Sequence, residues 1–219
     1  LATIIAAEFW FMRYLLFLGL LILPLHALAL DRAPMLVLGD SLSAAYRIAP
    51  ESGWVALLDT RLKQDTNLSR PVINASISGE TSYEGLLRLP ALLTEHHPAL
   101  VLVELGANDA LRGLSLEVAR ENLESIIKLS QASGAKVLLI GIEIPVNYGT
   151  RYRDGLRSMY RDLSAQFKLP LLPFLLEGVA LDPELMQDDG LHPRAVAEPR
   201  VLENVWTVLK PTLEAMGQK

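Results

Sequence analysis

Short, continuously apolar runs alternate along the chain with longer stretches in which apolar residues recur every three or four positions. Met35-Leu36-Val37-Leu38, Val72-Ile73-Asn74-Ala75, residues 99–105 and residues 136–141 read as buried strands, and residues 169–174 as a fifth. The clearest is 99–105, apolar throughout except for Glu104, as a central parallel strand is. Pro170 and Pro173 place the fifth strand at an edge, because proline donates no ladder hydrogen bond. Between the strands, Trp54, Leu57, Leu58 and Leu62 share one helical face, and so do Leu116, Ala119, Leu123, Ile126 and Ile127. Further helices are expected over a segment capped by Thr81 or Ser82, over 150–168, and from about Glu198 to the end, with Pro199 accommodated in the first turn. Pro90 is expected to kink the second helix or to split it in two. Strand–helix alternation of this kind predicts an α/β fold with a parallel sheet covered on both faces.

The first residues depart from that pattern. Arg13 precedes an apolar run, Tyr14 to Leu25, and Ala27-Leu28-Ala29 has the small-x-small form of an export cleavage site. Residues 12–29 are therefore expected to be a signal peptide, with the exported chain beginning at Leu30. The apolar run is short for a bilayer span, so no stable membrane anchor is expected after cleavage. Residues 1–11 precede Met12 and read as a non-native leader, which leaves 30–219 as a single domain.

Composition narrows the partners. The chain of 219 residues has a net charge of −5 and no Lys/Arg cluster that could track phosphates, which argues against nucleic acid. It has no cysteine, which excludes a thiol nucleophile and a Cys-ligated zinc site. Neither G-x-G-x-x-G nor G-x-x-x-x-G-K-[ST] occurs, so no cofactor and no metal are expected.

The candidate chemistry lies in four loops, each leaving the carboxyl end of a predicted strand, where open α/β sheets place their ligands. Ser41 follows the first strand in Gly39-Asp40-Ser41-Leu42-Ser43. A serine hydroxyl is a poor nucleophile until a base takes its proton. His192 is the candidate base, because His96 and His97 fall at the opposite edge of the sheet and read as solvated surface. It lies in Asp188-Asp189-Gly190-Leu191-His192-Pro193, where Gly190 permits a turn tight enough for an aspartate to fold back onto the imidazole. Asn108, in Gly106-Ala107-Asn108-Asp109, and Gly79, in Ser78-Gly79-Glu80-Thr81, are candidate donors to an oxyanion. Leu111 and Leu114, with Pro145 and Tyr148 in the loop after the fourth strand, offer apolar surface for an acyl chain or simply pack beneath a loop.

In order and spacing these four segments resemble the SGNH hydrolases, the GDSL esterase/lipase family, whose name-giving residues fall on Ser41, Gly79, Asn108 and His192. Asn74 to Gly79, Val101 to Leu114, Asn147-Tyr148-Gly149, Leu171 to Phe174 and Met186 to Gly190 resemble its bacterial periplasmic thioesterase, lysophospholipase and arylesterase branch. The resemblance implies a three-layer α/β/α, flavodoxin-like fold with a five-stranded parallel sheet. It implies Ser41 as nucleophile, His192 as base, Asp189 as its orienting acid, and an oxyanion hole of the Ser41 and Gly79 N–H groups and the Asn108 amide. It further implies small acyl ester or thioester substrates, a periplasmic or secreted location, and a monomer. Ala107 stands where that branch commonly has glycine. A carbohydrate deacetylase would use the same site. A flavin-binding module or a non-catalytic lipid- or carbohydrate-binding protein would share the fold, because fold alone does not fix function.

Overall fold

The computed structural model describes residues 32–217. The expected leader 1–11 and signal segment 12–29 lie outside the described residues. Five parallel strands, β1 (Met35–Gly39), β2 (Val72–Asn74), β3 (Leu100–Glu104), β4 (Lys136–Ile140) and β5 (Leu171–Leu172), form a sheet of order β2-β1-β3-β4-β5. The shorter helices are α1 (Trp54–Gln64), α2 (Ser82–His96) and α3 (Ala107–Leu111). The longer ones are α4 (Leu116–Ala132), α5 (Thr150–Phe167) and α6 (Glu198–Gly217).

Period-two alternation divides the strand side chains between two cores. Met35, Val37, Leu100, Leu102, Leu138 and Ile140 face α1 and α6, packing on Trp54, Leu58, Val201 and Val205. Leu36, Leu38, Val101, Val103, Val137 and Leu139 face α2, α4 and α5, packing on Leu89, Leu123, Ile127 and Leu163. The three layers match the sequence expectation, and they explain why the central strands are apolar at every position rather than at alternate ones.

Three local expectations change. Helix α2 runs unbroken through Pro90, which sits at an exposed position where water can replace the lost backbone bond. Its start is fixed by a reciprocal capping box, in which the Thr81 hydroxyl accepts from Glu84 N–H and the Glu84 carboxylate accepts from Thr81 N–H. The fifth strand is an edge strand, as expected, but shrinks to Leu171–Leu172 between its two prolines. The loop after β3 contains α3, a helix of five residues, too short for its apolar periodicity to show in the sequence.

The strand order reverses between β1 and β3, because the chain steps from β1 to β2 on one side and returns to β3 on the other. A crevice opens at such a switch point, beyond the carboxyl ends of the two strands. The register pairs Gly39 with Glu104, so the turn carrying Ser41 and the helix carrying Asn108 leave the sheet side by side.

Candidate active site

The turn after β1 is built on a buried carboxyl. Glu104 Oε2 accepts from the Asp40 N–H (3.2 Å) and from the Ser43 hydroxyl (2.7 Å), and Asp40 Oδ1 accepts from the Leu42 N–H (3.0 Å). Gly39 makes room for this arrangement. A Cβ there would stand 2.8 Å from Glu104 Oε2 and 2.9 Å from Ser43 Oγ. Asp40 and Glu104 are both fully buried. Burial raises the Asp40 carboxyl to about 7 against the pull of its bonds from Leu42 and Asn108, with the charges of Glu80 and Asp109 adding to the rise. Burial, and then the Asp40 charge, hold Glu104 well above the ordinary carboxyl range. Two adjacent buried carboxyls without a cation oppose each other's ionisation. The polar exception in an otherwise apolar strand is thus a buried acid beneath the Ser41 turn, with its carboxyl pushed up by burial and by Asp40.

His192 reaches this turn from the loop after β5. Its Nε2 lies 2.8 Å from Ser41 Oγ, and its Nδ1 lies 2.9 Å from Asp189 Oδ2. The other Asp189 oxygen accepts from the Leu191 and His192 N–H groups (2.9 and 3.1 Å), a local turn made possible by Gly190 at φ 66°. Partial burial pushes the Asp189 carboxyl up. The bonds from Leu191 N–H, the imidazole and His192 N–H outweigh it, so the group lies below its ordinary value and is anionic. Its neighbour Asp188 points into solvent and, among the described residues, meets only Arg194, at 3.4 Å.

Asn108 lies in the first turn of α3, directly after β3. Its amide donates to Asp40 Oδ2 (2.9 Å) and to the Glu80 carbonyl (3.1 Å), which places it between the Ser41 turn and the loop after β2. Gly79 adopts φ 84° in that loop. The Gly79 carbonyl accepts from Arg112, and the Glu80 carboxylate is held at two points by Arg88, at 2.6 Å each. Among the described residues, the N–H groups of Ser41 and Gly79 meet no protein acceptor. Ser41, Gly79, Asn108, Asp189 and His192 are therefore brought to one edge of the sheet. His96 and His97 end α2 at the opposite edge.

The apolar candidates are more dispersed. Leu111 is half-buried against the core, and its carbonyl accepts from the Tyr148 hydroxyl (2.8 Å), while Leu114 is exposed. Pro145 precedes the single turn that carries Tyr148. Tyr148 lines a cavity of about 580 Å³ with Leu116, Tyr152 and Gly155, and Leu111, Leu114 and Pro145 do not line it.

Several residues at the site carried no signal of their own in the sequence. Asp40, Glu80, Arg88 and Arg112 act through partners up to 68 positions away. Tyr46 packs its ring on His192, with centroids 4.4 Å apart. Gln187 donates to the carbonyls of both Tyr46 and Pro193 (2.9 Å each) and so ties the two loops together. An imidazole bridging a hydroxyl and a carboxylate, next to free N–H groups, has the parts needed to activate an oxygen nucleophile and receive an oxyanion.

Comparison with known proteins agrees with this chemistry. Residues 37–197 match the profile of the GDSL-like Lipase/Acylhydrolase family. The chain is 50% identical over 202 residues to Esterase TesA of Pseudomonas aeruginosa, covering 92% of this chain and 100% of that one. It is 45% identical over 201 residues to Thioesterase 1/protease 1/lysophospholipase L1 of Escherichia coli K12, covering 92% and 94%. The crystal structure of the esterase EstA from Pseudoalteromonas sp., inhibited by monoethylphosphonate, superposes with a TM-score of 0.78 at 41% identity, covering 83% of this chain and 99% of that one. With the four segments, the three-layer fold and these relatives in agreement, the chain belongs to the GDSL-like lipase/acylhydrolase family, the SGNH serine hydrolases.

Proposed function

We propose that the protein hydrolyses acyl esters and thioesters, including aryl esters, acyl-CoA and lysophospholipids, through an acyl-enzyme on Ser41. The observation that carries this reading is the hydrogen-bonded chain Ser41 Oγ–His192 Nε2 and His192 Nδ1–Asp189 Oδ2, at 2.8 and 2.9 Å. His192 takes the Ser41 proton as the oxygen attacks the acyl carbon, then gives it to the leaving oxygen or sulfur. Water repeats the cycle on the acyl-enzyme and releases the acid. Asp189 holds the imidazole with Nδ1 protonated and Nε2 free to accept, and it stabilises the imidazolium. The unpartnered N–H groups of Ser41 and Gly79 receive the oxyanion. Asn108 joins them by exchanging its bond to the Glu80 carbonyl for one to the substrate oxygen, while Asp40 keeps the amide in place. Leu111, Leu114, Pro145 and Tyr148 are assigned to the acyl side of the substrate.

We also propose export. Residues 12–29 are removed as a signal peptide and the enzyme works in the periplasm or outside the cell, as a monomer. None of the helices among the described residues is long and apolar enough to cross a membrane. Intact mass of protein recovered from a bacterial periplasm is expected to match a chain starting at Leu30, and a membrane-bound chain that retains Met12 would refute export.

The activity is tested by labelling with a fluorophosphonate probe, beside a panel of p-nitrophenyl esters of increasing chain length and acyl-CoA. The wild type is expected to label and to turn over esters, whereas Ser41→Ala is expected to do neither. A wild type that fails to label contradicts the reading.

A further inference from the structure

The segment joining the Ser41 turn to α1 has an unusual backbone. Ala45 and Arg47 adopt φ 56° and 55°, a left-handed conformation that costs non-glycine residues energy, and they flank Tyr46. Neighbouring segments fit around this conformation. Gln187 donates to the Tyr46 carbonyl from the His192 loop. Gly53 leaves space for Ala45, since a Cβ there would lie 2.8 Å from that of Ala45. The result is a stack in which the Arg47 guanidinium sits 5.2 Å from the Tyr46 ring centre, and the Tyr46 ring sits 4.4 Å from the imidazole of His192.

Arg47 differs from the other arginines around the site. Arg88 is bound by Glu80, Arg112 by the Gly79 carbonyl and Arg194 by Asp188. Arg47 is exposed and, among the described residues, has the aromatic face as its one partner. Strain retained to position an arginine that has no carboxylate suggests that its anionic partner is a ligand.

The reaction indicates which part of the substrate lies there. To leave, the alcohol or thiol must take its proton from His192 Nε2, so its first atom is within hydrogen-bond reach of that nitrogen. The Tyr46 ring lies 4.4 Å from that imidazole and the Arg47 guanidinium stands over the Tyr46 ring, so a leaving group that continues in this direction meets both. We propose that Tyr46 and Arg47 form a leaving-group subsite for an alcohol or thiol that carries a phosphate, with Tyr46 as its wall and Arg47 binding the phosphate. The proposal rests on the Ser41–His192 reading and names the substrate class of that site. The phosphate has two possible sources, the glycerol phosphate of a lysophospholipid and the nucleotide of coenzyme A.

The test compares substrates paired by acyl chain, octanoyl-lysophosphatidate against monooctanoylglycerol and octanoyl-CoA against octanoyl-pantetheine. For wild type the phosphate-bearing member of at least one pair is expected to have the higher kcat/KM. Arg47→Asn keeps a residue that tolerates the left-handed conformation. It is expected to lower that ratio about tenfold, chiefly through KM, as fits a partly exposed charge-assisted contact. Arg47→Lys is expected to retain part of the preference, and raising salt to about 1 M to diminish it in wild type. The pair that responds identifies the source of the phosphate. Ratios unchanged in both pairs, or both substrates of each pair slowed equally, would overturn the subsite. Labelling by fluorophosphonate with unchanged ratios would overturn the subsite alone, whereas a wild type that neither labels nor turns over p-nitrophenyl octanoate would remove the Ser41 reading and the subsite with it.

Discussion

The two sides of the site are held in different ways. On one side, Asp189 and His192 belong to a single exposed turn, and every hydrogen bond that shapes the Asp189 carboxylate comes from within three residues of it. On the other, Ser41 and Asn108 rest on a buried polar network. Glu104, Asp40, Asn108, Glu80 and Arg88 are linked by bonds that span from 8 to 68 positions. The difference fits the work that the proposed mechanism gives each side. The imidazole must take up a proton and release it during turnover, and an accessible loop with one well-placed carboxylate allows this. An oxyanion hole acts by being already in place, which requires rigid donors with their own partners behind them.

The largest effect is expected from removing the acid from the exposed turn. Asp189→Asn is expected to lower kcat by orders of magnitude, about 10⁴ where this change has been measured in another serine hydrolase. Asp188→Asn is expected to stay near wild type, since that side chain stands in solvent beside Arg194. Steady-state kinetics on p-nitrophenyl butyrate would decide, and the opposite ranking would reassign the acid.

A smaller effect is expected on the buried side. Negative charge gathers on the carbonyl oxygen only as the transition state forms, so Asn108→Ala should act on kcat and leave KM almost unchanged. The loss should be about 10²–10³, on the scale of removing one oxyanion donor. The variant should still label slowly with a fluorophosphonate. A rise in KM at constant kcat would make Asn108 a ground-state binding group.

The smallest effect is expected at a buried carboxyl just beyond the exposed turn. Glu198, the first residue of α6, is buried and accepts from the Trp54 N–H at 2.8 Å. Burial raises its carboxyl to about 7, partly offset by that bond. The unfolded chain, with an ordinary value of 4.5, loses this proton first. Stability should therefore fall as pH rises from about 4.5 to 7 and stay low above it, and the raised Asp40 carboxyl acts in the same sense. Glu198→Gln keeps the acceptor and is expected to remove its share of that slope, up to roughly 3 kcal/mol. Denaturant unfolding at several pH values between 5 and 8 would measure it, and an unchanged slope would show that Glu198 is not held neutral in the fold.

The same contrast explains what could be read in the sequence. The Asp189–His192 pair was legible because both residues lie in one turn, and all five strands were legible from their apolar runs, the fifth with too long an extent. Glu104 stood out in the sequence only as a polar interruption of its strand. Its meaning depends on Gly39 and Ser43, more than 60 positions earlier, and no local pattern records such a partnership. Tyr46 and Arg47 were hidden for a related reason. Their placement comes from two left-handed residues and a bond from Gln187, and neither alanine nor arginine announces that conformation. Pro90 misled because proline is read as a helix breaker, whereas the capping box and the buried face of α2 outweigh one lost bond.

The proposed reaction passes through a covalent bond to Ser41, and that bond can be observed directly. Wild-type protein mixed with p-nitrophenyl octanoate, quenched in acid within milliseconds and digested, is expected to carry an octanoyl group on the peptide containing Ser41. The group should be absent from Ser41→Ala and should persist longer in Asp189→Asn, where deacylation is slowed. An octanoyl group on Ser43 or elsewhere, or turnover with no acylated peptide at any quench time, would contradict the account.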